Sequence, residues 1–116
     1  MKVLFVDDES HILRSIQRLM ILRPYDAFYV DGGKNALKFL ESNQVDAVVS
    51  DMMMPEMNGY ELLRKVKELY PSAARIVLSG YADAKIIQRA VMQGIATAYM
   101  LKPNFGRAEN FFSPRV

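Results

Sequence analysis

Short apolar runs alternate along the chain with longer segments in which apolar residues recur every three or four positions. The runs occupy residues 3–6, 27–30, 47–50, 76–78 and 98–101. Each has the length and composition of a buried strand. The segments between them have the spacing of amphipathic helices, as in Ile12, Ile16 and Leu19. This alternation predicts an α/β fold with a parallel sheet covered on both faces.

Residues that end or begin helices lie where the apolar spacing changes. Pro24 and Pro71 follow the first and third helical segments, and proline does not fit inside a helix. Asp83 suits the cap before the fourth segment, and Gly94 suits the position just past its end. These signals predict one helix in each connection between successive strands.

Composition narrows the class of protein. The chain has 116 residues, enough for one domain, with no cysteine and a formal net charge of +2. The small charge gives no indication of a nucleic-acid partner, and no apolar run approaches the ~20 residues of a membrane span. We therefore expect one cytoplasmic domain that binds neither nucleic acid nor membranes directly.

Polar side chains follow the predicted strands at their carboxyl ends. They are Asp7, Asp8, Asp51, Ser79 and Lys102. Ligands of open α/β sheets bind at this edge, so these side chains are expected to meet. Three adjacent carboxylates require protons or a cation, and oxygen ligands suit Mg²⁺. A lysine and a hydroxyl beside them suit a carboxylate nucleophile that attacks phosphorus.

Each of these residues also has an ordinary structural explanation. Taken alone, Asp7 and Asp8 are typical of a helix cap and a solvated acid, Ser79 of a turn, and Lys102 of the surface. Coincidence at four separate strand ends is much less probable than coincidence at one. The set as a whole therefore favours a functional site.

Four segments resemble the response regulator receiver family of two-component signalling. They are VDDE at 6–9, DMMMPEMNG at 51–59, LSGY at 78–81 and YMLKP at 99–103. They stand in the family's order and spacing, and the resemblance covers 2–103. It implies a flavodoxin-like, doubly wound parallel sheet of five strands in the order 2-1-3-4-5.

The resemblance also implies a phosphoacceptor and a metal site. Asp51 would receive a phosphoryl group from a histidine kinase, a phosphotransfer protein or a small phosphodonor. Asp8 and Asp51 would bind Mg²⁺ through their side chains and Met53 through its main-chain carbonyl, while Asp7 would act mainly through metal-bound water. Mn²⁺ is expected to substitute for Mg²⁺.

Further roles come from the same resemblance. Lys102 would pair with Asp51 and then with the phosphoryl oxygens, Ser79 would hydrogen-bond the phosphoryl group, and Tyr99 would turn inward. Met53 and Tyr81 would flank the phosphoryl group, and a thioether at the first position predicts slow to moderate self-dephosphorylation. The positions expected to shape the loops are Pro55, Gly59, Gly80 and Pro103, the last after a cis peptide bond.

The end of the chain departs from the family pattern. We expect residues 1–103 to form the receiver core and 104–116 to form a shortened final helix or an irregular tail, since Gly106 and Pro114 limit any helix there. A poorly covered face formed by the fourth helix and fifth strand would then favour self-association. The sequence does not indicate whether the receiver acts alone or within a larger regulator or hybrid kinase.

Other functions stay open at this point. The expected receiver catalyses only its own phosphorylation and dephosphorylation. An alternative is a Mg²⁺-dependent phosphohydrolase with an aspartyl nucleophile, although such enzymes need an acid where this chain has Met53. A second alternative is an interaction module that is never phosphorylated. A nucleotide- or flavin-binding domain is disfavoured because no Gly-x-Gly-x-x-Gly motif follows the first strand.

Overall fold

Five strands and four helices alternate in the computed structural model, which describes residues 1–80 and 84–102. The strands are β1 Lys2–Val6, β2 Asp26–Val30, β3 Ala47–Asp51, β4 Ala74–Ser79 and β5 Ala98–Leu101. The helices are α1 Ser10–Met20, α2 Gly33–Ser42, α3 Gly59–Leu69 and α4 Ala84–Met92. The expectations for Tyr81, Asp83, Pro103 and the tail at 104–116 fall outside the described residues.

The strands form one parallel sheet in the order β2-β1-β3-β4-β5. This confirms the flavodoxin-like order that the family resemblance implied. The register places Asp51 beside Leu78 and Ser79 beside Leu101. The carboxyl ends of the strands therefore bring the polar residues that follow them to one edge.

Two apolar layers cover the faces of the sheet. Phe5 and Ile16 belong to the layer under α1, whereas Leu4, Leu40 and Leu62 belong to the layer under α2, α3 and α4. Successive residues of β1 thus point to opposite faces, and both faces are apolar because both are covered. The central strand β3 is buried along its whole length.

Helix boundaries follow local chemistry. The Asn58 side chain accepts a hydrogen bond from the Glu61 amide at 2.8 Å, and the Glu61 side chain reaches back to the Asn58 amide. This capping box starts α3 directly after the loop that follows β3. Past α4, Gly94 has a φ of +72°, which glycine adopts without strain. Among the described helices, none is long and apolar enough to cross a membrane.

Candidate functional site

Three carboxylates converge at the carboxyl edge of the sheet. Asp51 is the last residue of β3, and Asp7 and Asp8 directly follow β1. One oxygen from each lies within 4.8 Å of the others. Asp7 and Asp51 are buried, whereas Asp8 is exposed to solvent. The cluster therefore has a closed side within the protein and an open side that a solute can reach.

Backbone contacts hold these acids in place. The Asp7 amide donates to the Val30 carbonyl at 3.2 Å, which extends the β1–β2 pairing by one residue. Asp7 Oδ1 accepts a hydrogen bond from the Glu9 amide at 2.9 Å, so the carboxylate also shapes the turn into α1. Only the second oxygen of Asp7, Oδ2, is then left to face the cluster.

Gly59 allows the loop after β3 to close against Asp51. Its amide donates to the Met52 carbonyl at 3.0 Å. A Cβ at this position would lie 2.0 Å from the Asp51 carbonyl oxygen, far inside van der Waals contact. The loop from Asp51 to α3 can therefore adopt this path only with glycine at its end.

Lys102 follows β5 and reaches the cluster from the other side of β4. Its main-chain amide donates to the Ser79 carbonyl at 2.7 Å, which fixes the start of the side chain. Its Nζ lies 3.2 Å from Asp51 Oδ1 and 3.5 Å from Asp7 Oδ2. A third carboxylate oxygen, Glu9 Oε1, lies 3.5 Å from the same Nζ. One ammonium thus faces three acids.

The electrostatics of the cluster favour additional positive charge. Burial raises the pKa of Asp7 to about 6, and the charge of Asp51 adds to the rise. Burial also raises the pKa of Asp51, although Lys102 opposes that rise. For Lys102, burial favours the neutral amine, but the charges of Asp7 and Asp51 outweigh it and raise the pKa. One ammonium therefore compensates the acids incompletely.

Two buried oxygens have no hydrogen-bond partner in the described part of the chain. They are Asp7 Oδ2 and Asp51 Oδ1. Lys102 Nζ approaches Asp7 Oδ2 at 3.5 Å and Asp51 Oδ1 at 3.2 Å and forms an ion pair with each. Buried carboxylate oxygens are normally satisfied by donors or by a cation. The donor set, oxygens only, fits a hard divalent cation such as Mg²⁺.

The remaining predicted residues lie on β4, β5 and the loop after β3. Ser79 ends β4 beside Asp51 and is fully buried, and its hydroxyl donates to the Gly80 carbonyl at 2.6 Å. Tyr99 is half-buried on β5 and packs against the core under α2, α3 and α4. Met53 is 66% exposed in the loop after Asp51, and its backbone amide acts to lower the pKa of the Asp51 carboxyl, against the rise caused by burial.

Two expected loop residues show no tight packing. Pro55 is exposed, and its carbonyl accepts from the Met57 amide at 2.8 Å, which forms a tight turn. At Gly80, an added Cβ would meet no described atom within 4 Å, so crowding does not require glycine there.

Sequence reasoning missed Glu9 and Arg75. Glu9 lies within the VDDE segment, but no role followed from its position in the chain. Arg75 is buried, and its guanidinium donates to the carbonyls of Ile95 at 2.7 Å and Ala73 at 3.0 Å. An arginine inside an otherwise apolar strand is the signal that could have indicated this anchor of the α4–β5 loop.

Comparison with known proteins agrees with this geometry. Residues 3–109 match the response regulator receiver domain family. The chain is 37% identical over 105 residues to the two-component response regulator ARR10 of Arabidopsis thaliana, covering 89% of this chain and 19% of that protein. It is 39% identical over 83 residues to the sensor kinase CckA of Brucella abortus, covering 70% of this chain and 9% of the kinase.

Solved structures show the same relationship. The chain resembles a response regulator receiver domain protein from Clostridium thermocellum with a TM-score of 0.80 and 33% sequence identity. The likeness covers 94% of this chain and 86% of that structure. The family match extends over most of the sequence and includes every strand, so the chain belongs to the response regulator receiver domain family of two-component signalling.

Proposed function

We propose that this receiver accepts a phosphoryl group on Asp51 in a Mg²⁺-dependent reaction. The observation that carries the proposal is the setting of Asp51 itself. Its buried carboxylate lies 3.2 Å from the Lys102 ammonium and within 4.8 Å of the Asp7 and Asp8 oxygens. An acid so placed has both the cation-binding neighbours and the fixed positive charge that phosphoryl transfer requires.

The metal would be held on the open side of the cluster. Asp8 and Asp51 would supply carboxylate oxygens and Met53 its main-chain carbonyl, with Asp7 supporting them from the buried side. Bound Mg²⁺ would offset negative charge on the acids and on phosphoryl oxygens, and Mn²⁺ would serve in its place. The two unpartnered oxygens, Asp7 Oδ2 and Asp51 Oδ1, support this assignment because they need positive charge.

The chemistry on Asp51 is a displacement at phosphorus. A carboxylate oxygen of Asp51 forms the new bond to phosphorus while the bond between phosphorus and the donor breaks, and the donor leaves with the electron pair. Lys102 meets the charge on the phosphoryl oxygens during the transfer. In hydrolysis, a water oxygen bonds to phosphorus while the bond between phosphorus and the Asp51 oxygen breaks. Inorganic phosphate leaves with the protons of the water, and Asp51 returns as a carboxylate.

The response to phosphorylation would run through Ser79 and Tyr99. The new group adds close to two negative charges beside the end of β4. The Ser79 hydroxyl would exchange its bond to the Gly80 carbonyl for one to a phosphoryl oxygen. Tyr99, half-buried on the next strand, would then fill the space beside β4. Two packings of this face, biased by one local charge, constitute the switch.

Phosphoryl lifetime depends on the residues that flank the new group. Met53 is exposed in the loop after Asp51, and a thioether neither positions nor activates an attacking water. We therefore propose slow to moderate self-dephosphorylation. The same residue disfavours a phosphohydrolase, because that class needs an acid at this position to protonate the leaving group.

Partners follow from the family. The phosphodonor would be a histidine kinase or a phosphotransfer protein, in line with the receiver-like segment of the sensor kinase CckA.

Residues 1–103 would form the functional core and 104–116 a shortened helix or irregular tail. Self-association through α4 and β5 stays a prediction, for which Met92 (78% exposed) and Leu101 (41%) supply apolar surface. A monomeric mass by light scattering would contradict it.

Intact mass spectrometry tests the proposed function. The protein is incubated with acetyl phosphate and Mg²⁺, then with EDTA in place of Mg²⁺. We expect one phosphoryl adduct that requires Mg²⁺ and is absent from the Asp51→Asn variant. An adduct on Asp51→Asn, or none on the wild-type protein with a competent donor, would overturn the proposal.

A further inference from the structure

Lys102 has a third acidic neighbour besides the two buried acids. Glu9 Oε1 lies 3.5 Å from Lys102 Nζ, about as close as Asp7 Oδ2. The contact from Lys102 Nζ to Glu9 Oε1 has the geometry of a hydrogen bond. An ammonium has three donor hydrogens, and Glu9 accepts one of them. Lys102 must release this contact before that hydrogen can point toward a phosphoryl group.

Glu9 differs from the other two acids in its surroundings. Its side chain is 48% exposed, and it lies outside the group of three carboxylates that could hold a metal ion. It also starts α1 without capping that helix through its side chain. Glu9 is therefore free of the structural and metal-binding duties that Asp7 and Asp51 carry.

The carboxylate of Glu9 is oriented from both sides. Its other oxygen, Oε2, lies 3.6 Å from Nε2 of His11, the second residue of α1. The Glu9 amide is held by Asp7 Oδ1 at 2.9 Å, which fixes where the side chain begins. The carboxylate thus lies between His11 and Lys102.

We propose that Glu9 is a positioning residue that holds Lys102 in a resting place and slows phosphoryl uptake by Asp51. The inference rests on the proposed function, because it concerns the rate of that reaction. A cation bound at the acid cluster would offset the negative charge of Asp8 and Asp51. Glu9 lies outside that cluster and would still attract Lys102. The ammonium must loosen this contact before it meets the phosphoryl oxygens in the transfer.

The size of the effect follows from the exposure of the pair. Ion pairs that solvent reaches have modest strength, so release of Lys102 should raise the rate of phosphorylation about two- to fivefold. The direction distinguishes this role from a catalytic one, since loss of a residue that assists transfer would lower the rate. Glu9→Gln keeps the size of the side chain and removes its charge.

Removal of a negative charge near the site would also weaken the repulsion of an anionic phosphodonor. A shorter acid at position 9 distinguishes this effect from the release of Lys102. In Glu9→Asp the negative charge stays close to its original place, but the side chain is one methylene shorter and loses the grip on Lys102. If Glu9 acts by holding Lys102, both variants are fast. If it acts through charge alone, Glu9→Asp behaves as the wild-type protein.

The experiment measures the rate of phosphoryl uptake from acetyl phosphate at saturating Mg²⁺, by intact mass. Glu56→Gln is the matched control, because Glu56 is an exposed acid paired at 3.1 Å with Lys34 instead of Lys102. We expect faster uptake in Glu9→Gln and Glu9→Asp and an unchanged rate in Glu56→Gln. A second comparison places Glu9→Gln in a Lys102→Met background, where the gain should vanish.

The outcomes separate the two proposals. A wild-type protein that takes up no phosphoryl group overturns the proposed function itself. Uptake with unchanged or slower rates in both Glu9 variants overturns the role of Glu9 alone. So does acceleration confined to Glu9→Gln, or acceleration that persists without Lys102. If Lys102→Met takes up too little phosphate to time, the Glu9→Asp comparison decides the matter.

Discussion

Replacement of Asp7 by asparagine should stabilise the metal-free protein. Asp7 is buried with a carboxylate neighbour, and its Oδ2 has no hydrogen-bond partner among the described residues. Asparagine keeps the shape of the side chain and an oxygen that can accept from the Glu9 amide. It removes the negative charge that burial disfavours. The variant should therefore bind a metal ion less tightly and have a larger free energy of unfolding than the wild-type protein.

The magnitude comes from the pKa of Asp7. Burial raises it from 3.8 to about 6, so the folded protein binds this proton more tightly than the unfolded chain. The free energy of unfolding therefore falls as the pH rises from about 4 to about 6, and the loss is complete above that window. A difference of about 2 units corresponds to about 3 kcal/mol at pH 7.5.

The measured gain should be smaller than this limit. Asp7 and Asp51 titrate as a pair, and Lys102 loses one of its three acidic neighbours in the variant. We expect Asp7→Asn to raise the free energy of unfolding by about 1–2 kcal/mol at pH 7.5 in EDTA. At pH 4, where Asp7 is protonated in the folded protein, the two proteins should differ little.

Urea denaturation at both pH values in EDTA measures the effect, with Asp26→Asn as the control at an exposed acid. Saturating Mg²⁺ should narrow or reverse the gap at pH 7.5, because the proposed metal site should bind the ion more tightly in the wild-type protein than in the variant. A variant that is no more stable than the wild-type protein at pH 7.5 without metal would refute the reasoning.

Three further outcomes are expected. Gly59→Ala should lower the free energy of unfolding, measured by urea denaturation, by about 2–3 kcal/mol because the new Cβ would meet the Asp51 carbonyl. Gly32→Ala, where the Cβ has open space, should lower it by less than about 1 kcal/mol. Arg75→Met should cost about 2–3 kcal/mol by leaving buried carbonyls unpaired, and equal stability would contradict that account. Mg²⁺ should raise Tm more at pH 7.5 than at pH 5, since the pKa of Asp7 is about 6 and protons compete with the ion below it; equal shifts would contradict the competition.

The elements of this fold could be predicted because their signals are local. Strand β3 is apolar from Ala47 to Val49, and the segments on either side of it have helical periodicity. The capping box of Asn58 and Glu61 is a local signature too, readable from an Asn followed three residues later by Glu. Periodicity does not determine which strands lie side by side, so the order of the sheet came from the family resemblance.

The site could be predicted only in outline. The rule that ligands bind at the carboxyl edge predicted that Asp7, Asp51 and Lys102 would meet. In the structure, Lys102 Nζ lies 3.2 Å from Asp51 Oδ1 and 3.5 Å from Asp7 Oδ2. The contact of Glu9 with Lys102 joins residues 93 positions apart and depends on how a long side chain crosses β4. The hydrogen bonds of Arg75 likewise depend on carbonyls that come into reach only when the loops have folded. The Glu9 contact leaves no pattern in the sequence, whereas the arginine inside an apolar strand marks Arg75 without indicating its partners.

The central claim is that Asp51, among the three clustered acids, carries the phosphoryl group. Borohydride reduces an aspartyl phosphate to homoserine, so peptide mass mapping after acetyl phosphate, Mg²⁺ and borohydride identifies the modified residue. We predict homoserine at position 51, dependent on Mg²⁺. Homoserine at position 7 or 8, or none at 51 when the intact protein carries the adduct, would contradict the account.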